Sequence, residues 1–291
     1  MESRREKAAK ITLRELYDKW EPTHDGTKST MDCYRAAIKK FAPVWNLPVG
    51  EITVDDLQEC MDDVPGKRTQ QNMKTIIGIL YKYAIPRHMA QLNMGQYLTV
   101  VGENGLGKDG LPLDVLETIR GCTGQVPYAD YVVAQCYLGF RPSEFLALDV
   151  SSYDRKEKAF TGGAKTEAGR NRTVPVAAKI QPIIDRLTAN KISGQVFCAE
   201  GGARMSLEMY RRRFYEVLDT CGISNPATMV NGTEFRKYTP HSARHTFATL
   251  MKGVQGADKD KLALIGHTSD AMLRHYQDTD IQDLRQIVDA M

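Results

Sequence analysis

The residue types and spacing that say most about chemistry lie in Thr239-Pro240-His241-Ser242-Ala243-Arg244-His245. Threonine suits a helix N-cap and proline the first helical position, so a helix starts here. His241 and Arg244 then sit three apart on one face of the first turn or so, where unpaired backbone N–H groups and the helix dipole already favour an anion. Phosphate is the ligand this arrangement suits. Two readings compete with it: His241 and His245, four apart, could ligate a metal or form a structural pair. Zinc hydrolysis expects a glutamate after the first histidine, where Ser242 stands, and Arg244 on the same face would repel a cation.

A second candidate is Arg141, in Gly139-Phe140-Arg141-Pro142-Ser143-Glu144, between an apolar helix and a new helix opened by Pro142. An arginine there is costly unless paired, so either Glu144 neutralises it or it points at an anionic ligand. Two short strands over 159–165 and 172–176 flank a turn at 167–171 and supply Lys165, with Lys158 close by. The Val-Pro-Val run 174–176 predicts that the second strand lies on an edge. Gly266-His267 ends one helix, and Thr268-Ser269-Asp270 opens another that carries Tyr276 two turns on. Taken singly, His267 suits a cap and Tyr276 a core position.

The set changes those readings. Gly-x-Arg-x-x-Glu, a hairpin lysine, His-x-x-Arg-His, Gly-His and, nine residues later, a tyrosine follow one another in this order. That order resembles the tyrosine recombinase family of phage and mobile-element integrases, over about 111–280. Two departures are Ile265, where the family usually has leucine before Gly-His, and His275 directly before the tyrosine. The resemblance implies Arg141, Lys165, His241, Arg244, His267 and Tyr276 as catalytic residues, with Tyr276 the nucleophile of a 3′-phosphotyrosyl intermediate. It implies no metal, no ATP and no other cofactor. It further implies double-stranded DNA as substrate and a homo-tetramer on it, with room for an accessory DNA-bending or directionality factor.

These residue types suit cutting DNA by transesterification. A phosphodiester under attack gains charge on its non-bridging oxygens, which two arginines can hold bidentately in fixed geometry. A tyrosine with an ordinary pKa of about 10 is a neutral phenol at neutral pH and needs a neighbour to take its proton, for which His241 is the natural partner. The departing 5′ oxygen leaves poorly unless protonated, and the resemblance implies Lys165 as that acid. His267 would donate a hydrogen bond to the phosphate.

The elements that must position these residues divide in two. The chain has 291 residues, 42% apolar and 26% charged, the composition of an ordinary globular protein long enough for two cores. GENGLGKDG, at 102–110, holds four glycines in nine residues and reads as a connector. The expectation is therefore a helical DNA core-binding domain at 1–102, a flexible linker at 103–110 and a catalytic domain at 111–291, with 1–10 as a linker remnant. The fold class is mainly α, with a mixed, mostly helical catalytic domain around a small β-hairpin. Apolar spacing places helices at 12–20, 30–41, 54–61 and 69–83, then at 112–120, 130–138, 179–189, 207–220, 240–252, 259–264, 269–276 and 281–290. The last is a tail that could dock on a neighbouring molecule or pack on its own domain.

Net charge is only +3, so its distribution matters more than its sum. Between Pro65 and Gly102 stand Lys67, Arg68, Lys74, Lys82 and Arg87 with no Asp or Glu. The run is either a solvated helix face or a DNA-binding surface. The six cysteines include no C-x-x-C pair and read as reduced core thiols. With a charged start and no apolar span, the chain is expected in the bacterial cytoplasm with the nucleoid, away from membranes. Two other functions fit part of the pattern: a type IB topoisomerase with the same chemistry, and a non-cleaving DNA-binding accessory protein. A suicide DNA substrate separates them, because covalent capture excludes the second and strand transfer between duplexes excludes the first.

Overall fold

The structure is a computed structural model that describes residues 10–102, 109–163, 170–230, 233–266 and 281–291. It divides into two compact units, Met1–Leu106 with Met229–Thr233 and Gly107–Thr228 with Glu234–Met291. Residues 103–108 of the expected connector lie outside the described residues. No helix among the described residues is long and apolar enough to cross a membrane.

The first unit is helical: α1 (Leu13–Trp20), α2 (Lys28–Ile38), α3 (Val54–Asp62) and α4 (Lys67–Ala84). α1 and α3 start at reciprocal caps, Thr12 with Glu15 and Thr53 with Asp56, which satisfy N–H groups that a helix start leaves open. α2 starts and ends earlier than periodicity suggests. Thr27 accepts the Thr30 N–H, and at the other end the chain tightens into a 3₁₀ segment, Lys39–Val44, containing Pro43. Leu16, Phe41, Leu57, Met73, Ile77, Leu80 and other apolar side chains fill one core.

The second unit opens with α5 (Leu113–Gly121), α6 (Ala129–Leu138) and α7 (Pro142–Leu146). A three-stranded antiparallel sheet follows, β1 (Tyr153–Asp154), β2 (Ala159–Gly162) and β3 (Arg172–Pro175), in the order β1-β2-β3. β3 is an edge, where Pro175 costs no ladder bond. Then come α8 (Gln181–Thr188), α9 (Leu207–Thr220), α10 (Pro240–Lys252), α11 (Asp258–Ile265) and α12 (Ile281–Asp289); between α9 and α10 in the sequence stands a two-stranded sheet of β4 (Thr228–Val230) and β5 (Thr233–Phe235), whose residues Met229–Thr233 are grouped with the first unit. β1, β4 and β5 have no counterpart in the sequence expectation, since two or three residues are too short to show a period. Every residue of α6 except Asp130 is buried, as its nearly all-apolar sequence requires.

The tail helix α12 packs on its own unit. Leu284, Ile287, Val288 and Met291 are buried, Asp289 accepts the Ala178 N–H at 2.8 Å, and Arg285 donates to the Glu157 carbonyl. The six cysteines are free thiols, but only Cys60 and Cys136 are buried and Cys33 is exposed. The expectation of core thiols thus fails for Cys33, because α2 buries only its last two residues, Ala37 and Ile38.

Candidate functional site

The site is built where the end of α6, the start of α7, strand β3 and helix α10 meet. α6 stops at Gly139, whose φ of +63° lies in the left-handed region that glycine enters without steric penalty. The turn aims the Gly139 carbonyl at Arg244 of α10, which donates through Nη1 at 2.7 Å and through Nη2 to the Ile265 carbonyl at 2.5 Å. Ile265 ends α11, so Arg244 ties together the ends of two other helices.

Arg141 caps α7. Glu144, three residues on, accepts the Arg141 backbone N–H at 3.1 Å and pairs with its Nη1 at 3.0 Å. The sequence left two roles open for Glu144 and Arg141, and the ion pair is present. Yet Glu144 also serves a second guanidinium: Arg172 of β3 reaches its Oε2 at 3.2 Å and the Gly139 carbonyl at 3.3 Å, and lies over the Phe140 ring at 4.2 Å. Three arginines therefore share one carboxylate and one carbonyl. This buried cluster carries two positive charges more than it neutralises, an arrangement that an anion would complete.

Electrostatics follow from that crowding. Burial, reinforced by Arg141 and Arg172, brings Arg244 down to about 10; it stays charged at neutral pH, as a guanidinium does. Burial likewise lowers Arg172, against the pull of Glu144. For Glu144, burial acts upward, but the Arg141 N–H and the two guanidiniums outweigh it and hold the carboxyl below its ordinary value. The carboxylate is thus ionised across the neutral range.

His241 is exposed on the first turn of α10, and Arg244, three residues on, is buried. Thr239 is the N-cap by position, although its hydroxyl is buried without a hydrogen-bond partner, and it is the Ser242 hydroxyl that accepts the Thr239 N–H at 3.0 Å. Lys165, His267 and Tyr276 lie outside the described residues. Lys158, in the β1–β2 turn, is exposed. It stands beyond the end of β2 opposite the β2–β3 connection, about 13 Å of strand away.

In the first unit Lys67, Arg68, Lys74 and Lys82 lie within an arc of about 120° on α4, at 100° per residue, away from the buried Met73, Ile76 and Leu80. Lys74 donates to the Leu98 carbonyl at 2.5 Å. Arg87, beyond the helix, stacks on Tyr83 at 3.7 Å. Lys74 therefore has a fold-holding partner that its charge alone did not reveal, while Arg68 and Lys82 are exposed.

Sequence reasoning missed Arg172. The signal available was the arginine opening the second strand of the hairpin two and four positions before Val174 and Val176, on the same face as both, but nothing local told which partners that face would meet.

Residues 116–283 match the phage integrase family. No curated protein sequence matches the chain. Among solved structures, the Tn1549 transposon integrase in complex with a circular intermediate DNA superposes with a TM-score of 0.74 at 17% identity, covering 94% of this chain and 98% of that one. A lambda integrase dimer bound to a COC′ core site gives 0.72 at 16% identity over 93% and 99%. A lambda integrase tetramer bound to a Holliday junction gives 0.71 at 16% over 93% and 81%. At these identities the likeness is one of fold, and it extends over both units. With more than half of its length matching that family, this chain belongs to the phage integrase family of tyrosine site-specific recombinases.

Proposed function

We propose that the second unit cuts and rejoins DNA by transesterification at Tyr276. The phenolic oxygen attacks the scissile phosphorus and forms the 3′-phosphotyrosyl bond as the bond to the 5′ oxygen breaks. His241 takes the phenolic proton, Lys165 gives one to the departing 5′ oxygen, and His267 donates a hydrogen bond to a non-bridging oxygen. Arg141 and Arg244 hold the charge that develops there. Because the phosphotyrosyl ester conserves the bond energy, a 5′ hydroxyl from another duplex can reverse the step and rejoin without ATP. The observation that carries this reading is the convergence of Arg141 and Arg244 on Gly139 and Glu144, in a buried cluster with excess positive charge.

The first unit supplies grip: the basic face of α4, with Arg68 and Lys82 exposed, lies along DNA phosphates, so affinity falls steeply with salt. Strand exchange needs two duplexes and hence a homo-tetramer, in which the apolar face of α12 moves from its own unit to a neighbour's. Its substrate puts the protein in the bacterial cytoplasm, at the nucleoid. Tested on a nicked suicide substrate, the wild-type chain forms a covalent adduct and transfers strands between duplexes. Tyr276→Phe binds DNA equally well and forms no adduct; an adduct with this variant refutes the nucleophile assignment, and cleavage without strand transfer makes the protein a topoisomerase.

A further inference from the structure

Among the described residues, Arg172 is the one that hydrogen-bonds to both anchors of the arginine cluster, Glu144 and Gly139. Its Nη1 takes an oxygen of Glu144, the partner of Arg141, and its Nη2 takes the Gly139 carbonyl, the partner of Arg244. Its own side chain is 4% exposed, against 15% for Arg141, so it is poorly placed to meet a ligand itself. The flat face of the guanidinium rests on Phe140, which fixes its plane. A lysine could supply the charge but not two divergent N–H donors in one plane.

We propose that Arg172 is a positioning residue: it cross-braces Arg141 and Arg244 at a fixed spacing, and by occupying Glu144 Oε2 it keeps that carboxylate from capturing Arg141 in a two-pronged pair. The inference rests on reading Arg141 and Arg244 as phosphate ligands. The physical reason is competition. A carboxylate has two oxygens and an arginine fork matches both. With Arg172 removed, Glu144 has one guanidinium left to satisfy it, and the stronger pairing withdraws from Arg141 the donors and charge that a phosphate requires. Arg172 thus acts on the phosphate only through its neighbours.

The mechanism predicts a rescue that lost packing does not. In single-turnover cleavage of suicide DNA, Arg172→Met should cleave at least about tenfold slower than wild type while its DNA affinity stays within about threefold, the scale of coupling between residues in one ion-pair network. Adding Glu144→Gln removes the competing carboxylate, so the double variant should recover most of that loss. Arg172→Lys should fall between wild type and Arg172→Met with a normal melting temperature; it replaces Arg172→Met as the reporter if that variant does not fold. The proposal is overturned by cleavage at the wild-type rate in Arg172→Met, or in Arg172→Lys when the latter is the reporter. A double variant as slow as folded Arg172→Met overturns it too. Arg141→Lys is measured alongside: full activity there refutes the phosphate-ligand reading itself, whereas loss in Arg141→Lys with normal Arg172 variants refutes only the brace.

Discussion

Gly139→Ala tests the junction on which the arginine cluster is built. The residue has φ +63° and ψ 10°, a conformation that costs an L-residue about 1–2 kcal/mol. A β-carbon there would also stand 2.2 Å from Cδ1 of Phe247 and 2.6 Å from its Cε1 and Cγ. That ring is fully buried and has to shift within a packed core, at about 1–3 kcal/mol. Together the two effects give a destabilisation of about 2–5 kcal/mol, or roughly 4–20 °C in melting temperature for a unit of this size. Since the Gly139 carbonyl receives both Arg172 and Arg244, cleavage by the folded fraction should drop as well. The assay is thermal unfolding of Gly139→Ala in the wild-type background and in a Phe247→Ala background, which removes Cγ together with the ring. Without the ring, only the backbone cost of about 1–2 kcal/mol should remain. A melting temperature within about 2 °C of wild type, against the larger loss expected from the same size scaling, refutes the argument. Equal losses in the two backgrounds refute the clash as its cause.

Glu144→Gln tests the charge balance. Because the folded carboxyl lies below its ordinary value of 4.5, the stability it contributes is present above that value and is lost as pH falls through the folded pKa. Glu144→Gln should therefore be markedly less stable than wild type at pH 7, with the gap closing in acid; a gap that does not change with pH in denaturant titrations refutes the pairing. Lys165→Ala tests the general acid. It should be severely slow on ordinary DNA and recover most of its rate on a 5′-bridging phosphorothioate, whose sulfur departs without protonation. Arg244→Ala should recover little, and equal slowness of Lys165→Ala on both substrates turns the lysine into a DNA-positioning residue.

Much of this protein was legible in one dimension because its signals are local. Thr53 and Asp56 cap α3 from three residues apart, Ser206 caps α9 at its expected first turn, and the apolar periods of α9 and α10 give both helices their observed bounds. The order of arginine, lysine, histidine and tyrosine motifs identified the family for the same reason: each motif is a short run of neighbouring residues, and its spacing survives in the chain whatever the fold around it. Tertiary structure decided how the pieces meet. Arg172 reaches Glu144 across 28 residues and Gly139 across 33, and Arg244 reaches Gly139 across 105. No period or cap encodes such pairings, because they depend on which face of a four-residue strand turns inward and where a helix end comes to rest. The seating of α12 on its own unit and the tie from Lys74 to Leu98 belong to the same class. Apolar spacing states that a face must be covered, and a positive charge states that a partner is favourable. Which surface or which carbonyl satisfies them is fixed only when the whole chain has packed.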